Sequence, residues 1–172
     1  MVRKVVFQKL FMNKAYLLIG GNMGLVRENL ALARERLEQK VGHITRTSSI
    51  YQTAAWGLED QPDFLNQVLL IESALGAEDM LHEMLSIELQ MGRVRNTKNG
   101  PRLIDIDLLF FNDAIIDLPD LKVPHPLLHT RNFTLLPLVE LAPDLIHPVL
   151  GKSIRQLTNE SPDQLSAVKL KG

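Results

Sequence analysis

The order of apolar and polar residues predicts alternating strands and helices. Residues 15–19 form a compact apolar run closed by two glycines, which predicts a buried strand and a turn. Apolar residues then recur at helical spacing over 26–37, and a glycine at 42 follows as a stop signal. β-Branched residues dominate 44–53, and a second apolar run covers 64–71. The first part of the chain therefore predicts a strand, a helix and two further strands.

Residues 77–91 predict a second amphipathic helix with a stripe of apolar residues. Its members at i, i+4, i+7 and i+11 are Met80, Met84, Ile87 and Met91. Core packing is the better interpretation of this stripe than a ligand site. A polar loop and an apolar strand follow within 93–111. The order β-α-β-β-α-β predicts an α+β, ferredoxin-like core with a mainly antiparallel sheet.

The remaining residues predict a less regular C-terminal extension. Asn112 and Asp113 suggest a turn, and the prolines of VPHP (123–126) exclude a continuous helix. Residues 133–141 predict a short helix interrupted at Pro137, and 153–157 are the last helical candidate. Without repeats, low-complexity tracts or linkers, we expect a single domain over residues 14–172. Residues 1–13 are expected to be an N-terminal extension, disordered or packed at an edge, rather than a targeting segment.

Composition and charge exclude several classes of function. Of 172 residues, 45% are hydrophobic and 23% are charged, as in ordinary soluble domains. The net charge of −1 gives no overall basic field for nucleic acid or membrane surfaces. The absence of cysteine excludes disulfides, thiolate catalysis and cysteine-ligated zinc. No apolar run reaches the ~18 residues that a membrane helix needs, and we expect a cytoplasmic protein.

The stretch GPRLIDIDLLFF (100–111) places two carboxylates in an otherwise apolar strand. Residues i and i+2 of a strand share one face, about 6.5–7 Å apart. Asp105 and Asp107 should therefore lie on one face, with Ile104, Ile106, Leu108 and Phe110 on the other. Two carboxylates at this spacing suit one hard cation or a pair of cations ~3.5–4 Å apart.

The loop before this strand is the strongest charge feature of the chain. Residues 93–102 contain four basic residues and no acidic residue. Arginines beside a carboxylate pair that holds Mg²⁺ are typical of phosphoryl transfer, because they neutralise charge on the transferred group. The alternative is a set of structural salt bridges between the two aspartates and Arg102 with its neighbours. Both interpretations remain open on spacing alone.

The glycine turn IGGNMG (19–24) lies where a phosphate-binding loop would lie. It lacks the Lys-Ser/Thr of a P-loop, and its glycines do not match G-x-G-x-x-G. The two consecutive strands after the first helix also disagree with a doubly wound parallel sheet. We therefore predict a tight turn, with Asn22 near the N-terminus of the helix.

Six segments occur together and in an order that resembles one enzyme family. They are YLLIGGNMG, SSIYQTAAWG, EDQPDFLNQV, IELQMGRVR, NGPRLIDIDLLFF and VPHPLLHTRNFTLLPLVELAP. The chain resembles the 6-hydroxymethyl-7,8-dihydropterin pyrophosphokinases of folate biosynthesis from about residue 16 to 148. The segment G-R-x-R…G-P-R-x-x-D-x-D is the most specific part of the match.

The resemblance implies a ferredoxin-like fold and an unusual transfer reaction. ATP would give its β,γ-pyrophosphate as one unit to the pterin hydroxymethyl group, and AMP would leave. Asp105 and Asp107 would hold two Mg²⁺ ions along the triphosphate, so that the metal pair balances their charge. Arg93 and Arg102 match the catalytic-loop arginines, which makes these four residues the expected catalytic set.

The resemblance also implies a set of ATP-binding residues. They are Glu88, Arg93, Arg95, Arg102, His125 and Arg131. Glu88 shares a helix face with Leu81 and Leu85, so a surface acid paired with Arg93 or Arg95 is an equally good interpretation. For His125, a histidine fixed in a proline turn is the alternative.

The pterin-binding residues implied by the resemblance lie on three segments. Phe64 and Phe133 match the aromatic pair that sandwiches the ring, although ordinary core aromatics would give the same pattern. Asn66 matches the residue that pairs with the donor and acceptor edge of the pterin. Thr53 and Ala55 lie on the loop whose backbone completes that edge.

The sequence departs from the family pattern in the two loops. Many members have prolines where Ala54 and Ala55 stand, so this pterin loop is expected to be less stiff. Asn99 replaces an aromatic residue, Asn96 replaces a lysine, and the basic loop is about one residue shorter. These differences concern how the loop closes over the site to exclude water.

Two other classes of function share features with this sequence. An RNA-recognition domain shares the order of elements but needs exposed aromatics in an RNP-like motif, which is absent here. A nucleotide-binding ferredoxin-like module without catalytic activity is the alternative function, although both aspartates and both loop arginines are present. The expected partners are ATP and the pterin, without nucleic acid or membrane, in a monomer or weak dimer.

Overall fold

A computed structural model describes residues 11–55, 60–94 and 100–171. The strands are β1 (Asn13–Gly21), β2 (His43–Thr47), β3 (Tyr51–Thr53), β4 (Phe64–Ser73), β5 (Asp105–Phe111), β6 (Ile116–Asp117), β7 (Lys122–Val123) and β8 (Ala167–Lys169). The helices are α1 (Val26–Lys40), α2 (Ala77–Gln90), α3 (Asn132–Leu141) and α4 (Ile154–Asn159), with a 3₁₀ turn at Leu128–Thr130. In the described parts of the chain, no helix is both long enough and apolar enough to cross a membrane.

The main sheet confirms the ferredoxin-like prediction. Its strand order is β5-β1-β4-β3-β8, and β2 pairs with β4 beside β3. Every pairing in it is antiparallel. The central strands β1 and β4 pair over their whole shared length, from Asn13 opposite Ser73 to Gly21 opposite Leu65. Because the sheet is covered on both faces, β1 reads as a continuous apolar run rather than an alternating one.

Two hydrophobic clusters lie on opposite faces of this sheet. On one face, α1 and α2 pack through Leu30, Leu37, Met80 and Met84 against residues such as Leu17. The methionine stripe of α2 is therefore core, as predicted. On the other face, α3 and α4 pack through a second set: Leu135, Leu138, Leu141, Ile154 and Leu157. The sheet thus holds α3 rigidly over one face, and this face carries the candidate site.

The interruption expected at Pro137 is absent. Helix α3 runs continuously over Asn132–Leu141 with Pro137 inside it. Proline removes the helical hydrogen bond that its own N–H would donate, here to the carbonyl of Phe133, and its ring crowds that carbonyl. Pro137 is buried beside Leu138 and Leu141, and this packing offsets the lost bond.

Strand β5 alternates as predicted only up to Leu108. The β1–β5 register shifts between Tyr16 and Leu17, since Tyr16 faces Phe110 whereas Leu17 faces Leu108. This extra residue is a β-bulge, which turns the following side chains to the other face. Phe110 consequently packs in the α3 and α4 cluster. The expectation that Phe110 shares a face with Ile106 is wrong.

The structure contains one strand near the C-terminus, β8, that the sequence pattern did not predict. The last helix begins after Ser153, whose side chain forms a capping box with Gln156. The three residues of β8 then pair with β3 and extend the sheet. At the other end, Asn13 already belongs to β1, and residues 1–10 of the expected N-terminal extension lie outside the described residues.

We expect Leu135→Ala to lower the free energy of unfolding by about 2–5 kcal/mol, because it opens a cavity in the α3 cluster. Leu89→Ala, a matched change at a helix position that is 72% exposed, should cost less than about 0.5 kcal/mol. Urea denaturation measures both. Equal costs in the two variants would contradict the packing of α3 on the sheet.

Candidate active site

A cleft on the α3 face of the sheet brings most predicted site residues together. Its walls come from β1, β3, β4, β5 and the start of α3. The lining residues are Leu18, Gly20, Thr53, Ala54, Phe64, Asn66, Arg102, Asp105, Asp107, Arg131 and Phe133. The residues predicted to bind the pterin and those predicted to act on phosphate therefore share one space.

A second, larger cavity of about 500 Å³ adjoins this cleft. Its lining includes apolar residues of α2, the β6–β7 segment and the VPHP turn: Leu81, Leu85, Leu121, Pro119 and Pro126, with His82, Glu88, Lys122 and His125 among the polar ones. This volume is typical of small-molecule sites. Asp105 and Asp107 line both the cleft and the cavity, so the two carboxylates lie at their junction.

Asp105 is held by two arginines from opposite ends of the basic loop. Arg93 donates through Nη1 to Oδ1 of Asp105, and Nη1 of Arg102 lies 3.2 Å from its Oδ2. The proposed salt bridges to Asp105 therefore exist. Burial acts to lower the pKa of Arg93, but the carboxylates of Asp105 and Glu88 outweigh it and raise that pKa.

Asp107 has a different environment from Asp105. None of the ion pairs among the described residues includes it. Burial, reinforced by the negative charges of Asp105 and Glu88, raises the pKa of Asp107 to about 7. Ionisation of such a carboxyl group costs less free energy when a cation binds nearby, because the cation compensates the negative charge.

Glu88 is buried rather than on the surface. Its side chain is 3% exposed and bonds to Arg93 and to the backbone N–H of Ile106, at 2.7 Å. Strand β5 is the outer strand of the sheet order, and this carboxylate satisfies an amide at its edge. The interpretation of Glu88 as a surface acid is wrong, whereas its pairing with Arg93 is confirmed.

An arginine guanidinium group lies over each of the two rings that are predicted to stack on the pterin. The Arg102 guanidinium carbon lies 5.1 Å from the centroid of Phe64, and that of Arg131 lies 5.5 Å from the centroid of Phe133. Both distances are within the range of cation–π attraction. The Nε of Arg102 is buried and has no hydrogen-bond partner among the described residues, so this donor is available to a ligand.

Asn66 lies at the bottom of the cleft because β1 has a glycine opposite it. Asn66 is 5% exposed, and its Nδ2 donates to Oγ1 of Thr53 at 3.2 Å. A Cβ on Gly20 would approach Oδ1 of Asn66 to 2.3 Å. Only glycine at position 20 therefore leaves room for this amide.

His125 is fixed in its turn, as one of the two interpretations expected, and it also faces the large cavity. Its Nδ1 accepts from the N–H of Leu127 at 3.2 Å, which fixes the ring in the turn after β7. The ring also lines the large cavity. Burial, with a smaller effect of Arg131, lowers the pKa of His125 to about 4, so the imidazole is neutral and its other nitrogen carries the proton.

Asn22 lies in the turn before α1, as predicted, but its side chain does not cap that helix. The residue before α1 is Leu25, and no side chain caps that helix. Asn22 is instead buried, and its side chain donates to Gln61 and to the carbonyl of Pro62. Its Oδ1 accepts from the N–H of Arg102, whose carbonyl accepts from the N–H of Asn22. It thereby joins the glycine turn, the pterin loop and the basic loop.

Among the predicted site residues that the structure describes, Ala55 and Arg93 line neither the cleft nor the cavity. Ala55 is buried, and its neighbour Ala54 faces the cleft. Arg95 lies outside the described residues, as do Asn96 and Asn99 of the basic loop. Over the described ranges no group of three or more acidic, histidine or cysteine side chains forms a metal cluster.

Comparison with known proteins identifies the family. The model of the 7,8-dihydro-6-hydroxymethylpterin-pyrophosphokinase (HPPK) family matches residues 16–143. The chain is 38% identical to the 2-amino-4-hydroxy-6-hydroxymethyldihydropteridine pyrophosphokinase of Aquifex aeolicus, over 87% of this chain and 93% of that protein. It is 39% identical to the Synechocystis enzyme of the same name, over 83% of this chain and 73% of that protein.

A solved structure supports the fold independently. In the crystal structure of a Plasmodium falciparum HPPK-DHPS triple mutant with STZ-DHP, the similar region covers 87% of this chain, with a TM-score of 0.70 and 20% identity. The chain spans 43% of that longer chain. From the profile match and the two relatives, the chain belongs to the 7,8-dihydro-6-hydroxymethylpterin-pyrophosphokinase family.

Proposed function

We propose that the chain transfers the β,γ-pyrophosphoryl group of ATP to the hydroxymethyl oxygen of 6-hydroxymethyl-7,8-dihydropterin, with release of AMP, as a step of folate synthesis. The bond that forms joins the hydroxymethyl oxygen to the β-phosphorus. The bonds that break are the one between the same phosphorus and the oxygen that leaves with AMP, and the O–H bond of the hydroxymethyl group, whose proton is released. Membership of the family supports this class of reaction.

The observation that carries the proposal is the position of Asp105 and Asp107. These carboxylates line both the aromatic cleft and the large cavity. A donor in the cavity and an acceptor in the cleft would therefore meet beside them. Holding the two reactants in line at one junction supplies much of the acceleration in such transfers.

The aromatic cleft suits a flat heterocycle with mixed hydrogen-bonding edges. Phe64 and Phe133 would stack on the two faces of the pterin. Asn66 would pair with its pyrimidine edge through one donor and one acceptor, while Thr53 keeps the amide oriented. The backbone beside Ala55 would complete that edge.

The large cavity suits the nucleotide. Its apolar walls would receive the adenine, and neutral His125 would donate a hydrogen bond to the triphosphate. Arg131 and Arg102 lie in the cleft beside the same junction, and both would steady the transferred group. Arg95 is proposed as a further phosphate contact. Glu88, predicted to touch ATP, is instead proposed to hold Arg93 in place.

The donor set at the junction fits Mg²⁺. Magnesium is commonly held by one or two carboxylates together with substrate phosphates. Asp105 and Asp107 would hold it, and we propose two ions. When bound, magnesium offsets charge on the phosphate oxygens and on the departing AMP. The raised pKa of Asp107 is consistent with a carboxyl group that is completed by a cation.

Incubation with MgATP and 6-hydroxymethyl-7,8-dihydropterin should yield AMP and pterin pyrophosphate in equal amounts. Separation of nucleotides and pterins by chromatography measures both products. EDTA should abolish the reaction, and leaving out the pterin should prevent AMP formation. ADP as the product would contradict pyrophosphoryl transfer. Binding of ATP without product would favour the non-catalytic alternative.

Asp107→Asn should lower kcat by about 10²–10³-fold, because it removes a charged ligand without changing the shape of the side chain. Circular dichroism should show an unchanged fold. The control is Asp144→Asn, because this side chain is 86% exposed and is not part of the cleft lining. Activity of Asp107→Asn within threefold of the control would contradict the proposed metal site.

Gly20→Ala should raise the KM for the pterin about tenfold, because the new methyl group displaces the Asn66 amide. The KM for MgATP should change by less than about twofold. Gly76→Ala is the matched control, since a Cβ there meets nothing within 4 Å. Steady-state kinetics with each substrate varied separately tests this. Equal changes in both KM values would argue against a pterin-specific role for Asn66.

A further inference from the structure

The segment that follows α4, residues 161–170, crosses the molecule beside the cleft. We call it the C-terminal segment. Its strand β8 pairs with β3, where Ala167 faces Thr53 and Lys169 faces Tyr51. The N–H of Leu170 continues this pairing by donating to the carbonyl of Ile50. The family model ends at residue 143, so this segment lies beyond the matched region.

Before it reaches β3, the C-terminal segment bonds to the first residue of α3. The Asn132 N–H donates to Oδ2 of Asp163 at 2.7 Å. Nδ2 of Asn132 also donates to the carbonyls of Asp163 and Leu165, at 3.0 and 3.1 Å. Within the segment, the second carboxylate oxygen of Asp163 accepts from the N–H of Leu165. We call the three hydrogen bonds that Asn132 donates to the segment the latch.

The latch supplies the N-terminal cap that no residue directly before α3 provides. The residue before the helix is Arg131, and no side chain from that position caps the helix. Free amides at a helix N-terminus favour a carboxylate both as acceptor and as a charge opposite to the helix dipole. Asp163 provides this carboxylate from 31 residues further along the chain.

Two residues of the proposed site flank the latch directly. Arg131 precedes Asn132, and Phe133 follows it. Both line the cleft, and the guanidinium of Arg131 lies over the ring of Phe133. Burial lowers the pKa of Arg131, and the charge of Asp163 acts in the opposite direction as a smaller effect. Any loosening of Asn132 therefore moves a phosphate-side group and a pterin-side group together.

We propose that Asp163 and Asn132 are positioning residues, through which the C-terminal segment holds Arg131 and Phe133 in their binding arrangement. This inference rests on the proposed function of the cleft. The segment is attached at two places. Its strand β8 pairs with β3, and the latch binds the first residue of α3. The segment fixes the distance between the two walls of the pterin cleft before any substrate arrives, which lowers the cost of ordering on binding.

Asp163→Ala tests the latch by kinetics. The KM values for the pterin and for MgATP should both rise, by about tenfold, the effect of losing one charge-assisted hydrogen bond. The value of kcat should change by less than about threefold, because no group that touches the reacting atoms is removed. Asp163→Asn keeps an acceptor for the Asn132 N–H and should recover part of the loss. Glu160→Ala, which removes an exposed carboxylate paired with Lys152, is the matched control and should match the wild type.

Hydrogen exchange gives a readout that does not depend on catalysis. In Asp163→Ala the amide of Asn132 should exchange at least about tenfold faster, while amides in the middle of α2 keep their protection. Asn132→Ala removes the two Nδ2 hydrogen bonds but keeps the N–H that donates to Asp163, so it should raise the KM values in the same way, and the double variant should be worse than either single variant. A uniform loss of protection in Asp163→Ala, or unchanged KM values in Asn132→Ala, would overturn the latch.

The experiment separates failure of the latch from failure of the proposed function. If the wild type forms AMP and pterin pyrophosphate but Asp163→Ala has unchanged KM values, the latch is overturned and the function stands. If the wild type forms no product, the function fails. Binding of the pterin, followed by its own fluorescence, then decides the latch together with hydrogen exchange.

Discussion

The charge of Asp105 is the constraint on which the site depends. A partly buried carboxylate is stabilised when it is paired and hydrogen-bonded, and Asp105, whose side chain is 24% exposed, achieves this with Arg93 and Arg102. These arginines stand at the two ends of the basic loop. One carboxylate therefore pins both ends of that loop to β5. Glu88 supports the arrangement from α2 by binding Arg93 and the edge amide of Ile106.

The two loop arginines differ in how many contacts they must leave before they can bind a phosphate. Arg93 is 11% exposed and already binds two carboxylates, so reaching a phosphate would require it to leave at least one of them. Arg102 binds Asp105 through one terminal nitrogen, stacks on Phe64 and keeps its Nε without a partner among the described residues. Arg102 is thus the better placed of the two to contact a transferred group directly. Arg93 acts first as the anchor of the loop.

The elements that the sequence predicts well are those with a long, regular pattern. The apolar runs of β1 and β4 and the helical stripes of α1 and α2 lead directly to the ferredoxin-like sheet. The bulge in β5 is invisible in the pattern, because Leu108 to Phe111 are all apolar and fit either face. Strand β8 is only three residues long and exists through its pairing with β3.

The candidate site likewise contains residues that the sequence pattern predicts and residues that it does not. Strand periodicity placed Asp105 and Asp107 on one face, and the cleft contains both. Family resemblance, not periodicity, singled out Phe64, Asn66 and Phe133. The role of Asn22 could not be read from local sequence, because its partners are 39, 40 and 80 residues away along the chain. Contacts over such separations follow from the folded topology alone.

Helix α3 can form a wall of the cleft although it is short, because contacts fix both of its ends. Its C-terminal end is fixed by Glu140, which accepts hydrogen bonds from Ser49 and from the hydroxyl of Tyr51. Burial, together with this carboxylate, raises the pKa of Tyr51 to about 12. Burial acts to raise the pKa of Glu140 as well, but the bonds from Ser49 and Tyr51 outweigh it and lower that pKa. The phenol therefore stays protonated and keeps donating to an ionised carboxylate at neutral pH.

Both ends of α3 are consequently tied to the same edge of the sheet. Glu140 binds the segment that leads into β3, and Lys169 of β8 approaches the same carboxylate at 3.5 Å. At the other end, Asp163 binds Asn132 from the chain that becomes β8. A helix held at one end could pivot about that end, whereas a helix held at both ends cannot. Because Phe133 lies on the first turn of α3 and Thr53 at the end of β3, the two ties together set the separation between an aromatic wall and a polar wall of the cleft.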